Sequence, residues 1–297
     1  MNTFATASLF AVSAMASGGD YTYADNGASW GKTQAQFAWF ANCQQGTQQS
    51  PINLLTTATT TDVAKIDMSG YFNAAINKSQ WADTSKSAWK ADIYPEEERL
   101  EAGMKLTYQD GTTGDFTFKQ YHFHAPSEHA VDGQLMDAEI HLVHVDKNSG
   151  TMTNGMQAGE TYGAVIGVFF DQSAGTEDNE FLESFWEASA GDSTVDIESI
   201  LSAAGSEGFW SYPGSFTTPG CGEGISWSVM KKAQPISDAQ LLKFTSKLGA
   251  NGNNRVVQAV GARTVYLSTN NPDVTFDGAT SMTTYAALVV AAVAALF

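Results

Sequence analysis

The stretch that most restricts the fold is "FTFKQYHFHA", residues 116–125, where side chains of different character alternate over the length of one β-strand. Further segments that alternate or run apolar over strand-like lengths are "EIHLVHVD" (139–146), "YGAVIGVFF" (162–170) and "TVYL" (264–267). Turn-forming clusters such as "QDGTTGD" (109–115) and "DKNSGTMTNG" (146–155) separate them. Helical periodicity is scarcer. It is clearest in "NEFLESFWEAS" (179–189) and in "SDAQLLKFTSKL" (237–248), where Ser237 and Gln240 stand at capping-box spacing. No internal repeat and no Pro/Gly/Ser-rich linker divides the chain. The expected architecture is therefore mainly β: a single domain with a large, mostly antiparallel twisted central sheet and short peripheral helices.

Charge narrows the function. The 297-residue chain carries 32 acidic against 15 basic residues, a net charge of −17. A surface of that sign repels phosphate backbones, so nucleic acid is not an expected partner. Both termini resemble processing signals. The start, "MNTFATASLFAVSAMASGGD", is apolar from Phe4 to Ala16 and ends in an A-x-A pattern, reading as a signal peptide over 1–16, although its first residues carry no Lys or Arg. At the other end "AALVVAAVAALF" (286–297) is shorter than the ~20 residues needed to span a bilayer. It follows small residues at 277–279 and a polar spacer, the order of a GPI-attachment propeptide, here 278–297. The body between, 17–277, is the expected folded domain. The expected location is the secretory pathway, at the cell surface or outside it, with membrane contact only through a lipid anchor. Asn77-Lys78-Ser79 is a glycosylation sequon consistent with that route. In an oxidising compartment the two cysteines, Cys43 and Cys221, are expected to pair, a closure worth on the order of 4 kcal/mol.

All five histidines lie between positions 122 and 144. In a strand, residues i and i+2 share a face, so His122 and His124 project together, along with Phe116, Phe118 and Gln120. In the second strand Glu139, His141, Val143 and Val145 share a face. If the two strands pair antiparallel, His141 completes a triad of imidazoles. Three neutral imidazoles suit Zn²⁺ and leave a fourth position open, the arrangement of a catalytic rather than a structural zinc site. Gln120 and Glu139, each two residues before a candidate ligand on its face, are placed to accept an imidazole N–H and set the tautomer. An HxH pair alone is equally at home in an ordinary strand; the third histidine with its same-face carboxylate favours the metal. His144 points to the opposite face and is expected in the core. His129, in the turn-like "APSEH", is expected to be structural.

With these motifs in view the chain resembles the α-type carbonic anhydrases. The resemblance is an ordered series along nearly the whole body: "ASWG" (28–31), "QQSPINL" (48–54), "QYHFHAPSEH", "AEIHLVH", "YGAVIGVFF", "YPGSFTTPGC" (212–221), "ISWSVMKKAQPIS" and "NNRVVQ" (253–258). It implies that His122, His124 and His141 bind zinc, with Gln120 and Glu139 as their hydrogen-bond partners. Thr217 is implied as the hydroxyl that accepts from the zinc-bound water or hydroxide and donates to Glu128, with Thr218 beside it at the substrate end. Val143, Val165 and Trp227 are implied as the apolar wall for CO₂, and Cys43–Cys221 as the disulfide of secreted members. The implied reaction is reversible hydration of CO₂ to bicarbonate and a proton by a zinc-bound hydroxide. Zinc lowers the pKa of its bound water to about 7, an effect for which this enzyme class is itself the reference case. CO₂ and bicarbonate are the implied small-molecule partners; a bicarbonate transporter is the protein partner such a site would serve.

Two positions depart from the family's pattern. No histidine precedes His122, and "INKSQWADTSK" (76–86), where a proton-shuttling imidazole would fall, offers Lys78, Asp83 and Lys86 instead. Moderate turnover is therefore expected. Phe216 stands where most active members have leucine beside the reactive threonine. The alternative reading is a catalytically silent cell-surface binding module, which retention of the full ligand set disfavours. A cupin-like metalloenzyme is disfavoured because Phe116 stands where its glycine is expected.

Overall fold

A computed structural model describes residues 21–32, 41–68, 79–82, 88–92, 103–147, 161–188, 197–246, 248 and 250–270. The expected signal peptide and anchor segment, Asn77, Lys78, Asp83 and Lys86 lie outside these residues. The strands are β1 (Asn53–Leu54), β2 (Thr59–Thr61), β3 (Lys65–Asp67), β4 (Ser79–Ala82), β5 (Ala88–Asp92), β6 (Gly103–Thr107) and β7 (Thr113–His124). They continue with β8 (Ala130–Val131), β9 (Gln134–Leu135), β10 (Ala138–Asp146), β11 (Gly163–Phe170), β12 (Phe209–Ser215), β13 (Glu223–Met230) and β14 (Tyr266–Ser268). Eleven of them form one sheet in the order β2-β14-β12-β13-β11-β10-β7-β5-β4, with β6 also on β7 and β3 on β6. Two of its ladders, β11–β13 and β14–β2, are parallel and the rest antiparallel. A second, three-stranded sheet has the order β1-β8-β9. The mainly β, mostly antiparallel expectation is met.

The long strands β10 and β11 sit mid-sheet and are buried along nearly their whole length; β11 reads accordingly as a continuous apolar run, while β10 buries Glu139, His141 and His144 among its apolar residues. Alternation sorts their side chains between two clusters. Ile140, Leu142, Ala164, Ile166, Val168 and Phe170 join the larger core, under the helices. Val143, Val145, Val165 and Phe169 join a second cluster with Trp210, Tyr212, Ile225 and Trp227 on the opposite face.

Strand β7 departs from simple alternation. Its ladder with β10 runs His141–His122, Leu142–Tyr121, Val143–Gln120, and then steps to His144–Phe118, so two residues of β7 answer one of β10. The extra residue, Lys119, is a β-bulge, and one inserted residue reverses the facing of everything beyond it. Phe116 and Phe118 consequently share the larger core with Tyr121 and Phe123. The expectation that they lie on the face of His122 and His124 is thus corrected. The bulge lets one strand fill the core with Phe116 and Phe118 while Gln120, His122 and His124 turn to the other side.

Among the described residues there are four α-helices: α1 (Asn42–Gln45), α2 (Glu180–Ala188), α3 (Ile197–Gly205) and α4 (Asp238–Thr245). Phe181, Leu182 and Phe185 of α2 and Ile197, Ile200, Leu201 and Ala204 of α3 recur at helical spacing and enter the core. Of the expected capping box only half forms. Ser237 Oγ accepts the Gln240 N–H at 3.3 Å, but the buried Gln240 side chain turns to α2, accepting from Asn179 N and donating to Asn179 O and Glu183 Oε1. A buried amide is satisfied more fully there, and it ties α4 to α2.

Candidate metal centre

The antiparallel register of β7 and β10 sets His122 directly opposite His141, with His124 two residues further along, opposite Glu139. The three imidazole centroids lie 5.0, 5.2 and 4.7 Å apart, and one nitrogen of each ring lies within 4.8 Å of the others. The second nitrogen of each ring is committed elsewhere: His122 Nδ1 to Gln120 Oε1 (2.9 Å), His124 Nδ1 to the Asn253 carbonyl (2.8 Å) and His141 Nε2 to Glu139 Oε1 (2.9 Å). Carbonyl and carboxylate oxygens only accept, so these nitrogens carry the protons. His122 Nε2, His124 Nε2 and His141 Nδ1 are left as lone pairs. His124 Nε2 is buried with no hydrogen-bond partner, a costly state for a polar atom unless an electrophile belongs there. Burial also pushes the His124 pKa down, against the opposing pull of Glu128, and so favours the neutral ring a metal requires. Three converging imidazole lone pairs are a donor set that fits Zn²⁺.

Glu139 anchors the back of this group. Oε1 accepts from His141 Nε2 and from His129 Nδ1 (2.7 Å), and Oε2 accepts the backbone N–H groups of Glu128 and His129, both at 2.9 Å. Burial alone would raise its pKa, but the His129 and His141 rings facing it outweigh this and hold the carboxyl well below the usual carboxylate range. Although His129, Glu139 and His141 also lie close enough to hold a metal, these four donors already occupy the carboxylate. Because His129 Nδ1 donates to Glu139, its Nε2 accepts, and the Tyr212 hydroxyl is the donor at 2.6 Å. Tyr212 in turn meets Ser50 Oγ at 2.9 Å. A buried line of bonds thus runs from Ser50 through Tyr212, His129 and Glu139 to His141.

The sequence profile of the eukaryotic-type carbonic anhydrases matches residues 27–269. The chain belongs to that family. A carbonic anhydrase of Neisseria gonorrhoeae is 32% identical over 250 residues, which cover 82% of this chain and 86% of that one. The α-carbonic anhydrase of Thermovibrio ammonificans, solved with the inhibitor sulfanilamide, superimposes with a TM-score of 0.63 at 28% identity, over 84% of this chain and 100% of that one. The halotolerant carbonic anhydrase of Dunaliella salina gives a TM-score of 0.66 over 84% and 98% of the two chains; at 23% identity it speaks for the fold alone.

Of the other residues expected from the carbonic anhydrase resemblance, Trp227 stands beside His141. Val143, Val165 and Trp227 are buried in one apolar cluster, against which the half-buried Phe216 packs. The Trp227 ring stands 4.8 Å from that of His141 and donates its N–H to the Ser215 carbonyl. Thr217 is buried and Thr218 half-buried. Cys43 and Cys221 form the expected disulfide. One expected bond is missing: among the described residues no hydrogen bond joins Thr217 to Glu128. Glu128 Oε1 accepts the Arg255 backbone N–H at 2.8 Å. Its Oε2 has no hydrogen-bond partner and lies 3.4 Å from His124 Nε2 and 3.8 Å from His141 Nδ1.

Sequence reasoning left four participants unassigned: Asn253, Arg255, Tyr212 and Ser50. Asn253 is fully buried; its side-chain amide binds Ala125 N and Phe123 O, which locks its own carbonyl against His124. His129, expected as structural, is a fully bonded link between Tyr212 and Glu139. These pairings bridge large sequence separations, where no local periodicity reports them.

Proposed function

We propose that the chain catalyses the reversible hydration of CO₂ to bicarbonate and a proton at a zinc ion held by His122 Nε2, His124 Nε2 and His141 Nδ1. The observation that carries this reading is the buried, partnerless Nε2 of His124 converging with two further imidazole lone pairs. When bound, zinc supplies a Lewis acid that makes water a nucleophile near neutral pH, carbonic anhydrases being the reference case for the effect. The chain's own residues do the rest. Gln120, Asn253 and Glu139 hold each ring in the tautomer that offers a lone pair. Val143, Val165 and Trp227 give CO₂, which has no dipole, an apolar wall and keep bulk water from it. Glu128 Oε2 is the acceptor available to the Thr217 hydroxyl; once donating there, Thr217 can only accept from the attacking water and so directs a lone pair at carbon. All five histidines are accounted for, three as ligands and two, His129 and His144, fully buried. The proton therefore leaves without an imidazole shuttle, and imidazole buffer should raise turnover.

Stopped-flow CO₂ hydration with metal-stripped and zinc-reloaded protein tests the reading. Activity should vanish on stripping and return with one zinc per chain. A fully loaded protein without activity would make it a silent binding module. We further propose a secreted chain trimmed to 17–277 and lipid-anchored, with Asn77 glycosylated; release from cells by a phosphatidylinositol-specific phospholipase tests the anchor.

A further inference from the structure

Arg255 is almost wholly buried (1% exposed), and among the described residues it makes no hydrogen bond to the three imidazoles. Its backbone N–H holds Glu128 Oε1, while its guanidinium donates to the Ser50 carbonyl (2.6 Å) and the Cys43 carbonyl (3.0 Å) and lies over the Trp30 ring. Both carbonyl partners are anchors of the Thr217 loop. Ser50 exchanges two bonds with Ser215, which precedes the loop: Ser50 N to Ser215 Oγ at 2.9 Å and Ser215 N to Ser50 Oγ at 3.1 Å. Gly214 makes this approach possible, since a Cβ there would lie 2.3 Å from Ser50 Oγ. Cys43 is bonded to Cys221, which follows the loop and closes it through Cys221 N to Thr218 O.

Arg255 therefore holds Glu128 on one side and, through Ser50 and Cys43, is linked to both ends of the Thr217 loop on the other. We propose that Arg255 is a positioning residue for the reaction, a strut that sets the Thr217 hydroxyl against the Glu128 carboxylate. The inference rests on the proposed function, in which those two groups act together.

The test uses Arg255→Met, which keeps the stem and the backbone N–H to Glu128 but removes both guanidinium bonds, and Arg255→Lys, which also keeps the charge. For zinc-loaded Arg255→Met, kcat for CO₂ hydration should fall about ten- to a hundred-fold, with KM within about two-fold, the effect of misplaced groups rather than lost binding. Arg255→Lys should lie between it and the parent. A role through charge alone would instead leave Arg255→Lys at the parent level. In metal-free protein, amides of the 216–222 segment should exchange hydrogen about ten-fold faster while those of β10 and β11 stay unchanged. Parental kcat in either folded variant, or exchange rising equally in loop and sheet, would overturn the strut. Should Arg255→Met fail to fold, Arg255→Lys decides alone. If the parent itself does not hydrate CO₂, the proposed function fails, and the exchange pattern still judges the strut.

Discussion

Gly167 leaves the space that the Glu139 carboxylate occupies: a Cβ at Gly167 would lie 2.8 Å from Glu139 Oε1, too close for any side chain. Gly167 faces His141 across the β10–β11 ladder, so the missing side chain sits directly behind a candidate ligand. Gly167→Ala should push Glu139 off His141 and weaken zinc retention by about 10- to 100-fold, the usual cost of losing a ligand's supporting hydrogen bond. Competition titration against a chelator measures this, and unchanged affinity would show that Glu139 is not needed in place.

Tyr212 donates to His129 Nε2 from within a stacked pair with Trp227. Tyr212→Phe keeps the ring but leaves His129 Nε2 buried and unbonded, at a cost of about 1–3 kcal/mol. The urea midpoint of the metal-free protein should drop accordingly, with the m-value unchanged.

Tyr121 presents the opposite case. Its hydroxyl is buried in the larger core with no hydrogen-bond partner, among Phe118, Phe123, Phe181 and Phe185. Tyr121→Phe removes that desolvated group and should leave stability unchanged or raise it by about 1 kcal/mol. A clear loss in urea denaturation would reveal a partner for the hydroxyl.

His144 is buried against Phe118 with Nδ1 on the Ala164 carbonyl, and burial lowers its pKa from 6.5 to about 3. As pH falls the unfolded chain takes up this proton first, so stability is intact above about pH 6.5 and is lost progressively toward pH 3. The loss amounts to something on the order of 4 kcal/mol by linkage. Urea midpoints of metal-free protein at several pH values should show this slope, and His144→Leu should flatten it.

Phe216 packs against the cluster that holds Val143, Val165 and Trp227. If its ring crowds the space CO₂ needs, Phe216→Leu should raise kcat/KM for hydration by about two- to ten-fold. An equal or lower value would remove crowding as the cause.

Much of this protein was legible in its residues. The period-two alternation of 116–125, the mixed pattern of β10 and the apolar run of β11 announced a sheet with two working faces, because strand side chains point to opposite faces at alternate residues. The same rule put His122, His124 and Glu139 with His141 on one side, since no bulge interrupts β7 beyond Gln120 or β10. Two stretches resisted for physical reasons. The bulge at Lys119 reversed Phe116 and Phe118, and an inserted residue leaves no mark in the local pattern. Helix α3 was passed over although Ile197, Ile200, Leu201 and Ala204 keep helical spacing.

Sequence alone thus determined the mainly β class, the ligand types and the shared face of the histidines, all of which follow from local periodicity and side-chain chemistry. Tertiary structure decided which distant groups complete them: Asn253 behind His124, Tyr212 behind His129, Arg255 between Glu128 and the Cys43 and Ser50 carbonyls. Those choices belong to the folded chain because a buried polar atom takes whichever partner the packing brings within reach, and that depends on how the whole sheet closes rather than on any neighbour in sequence.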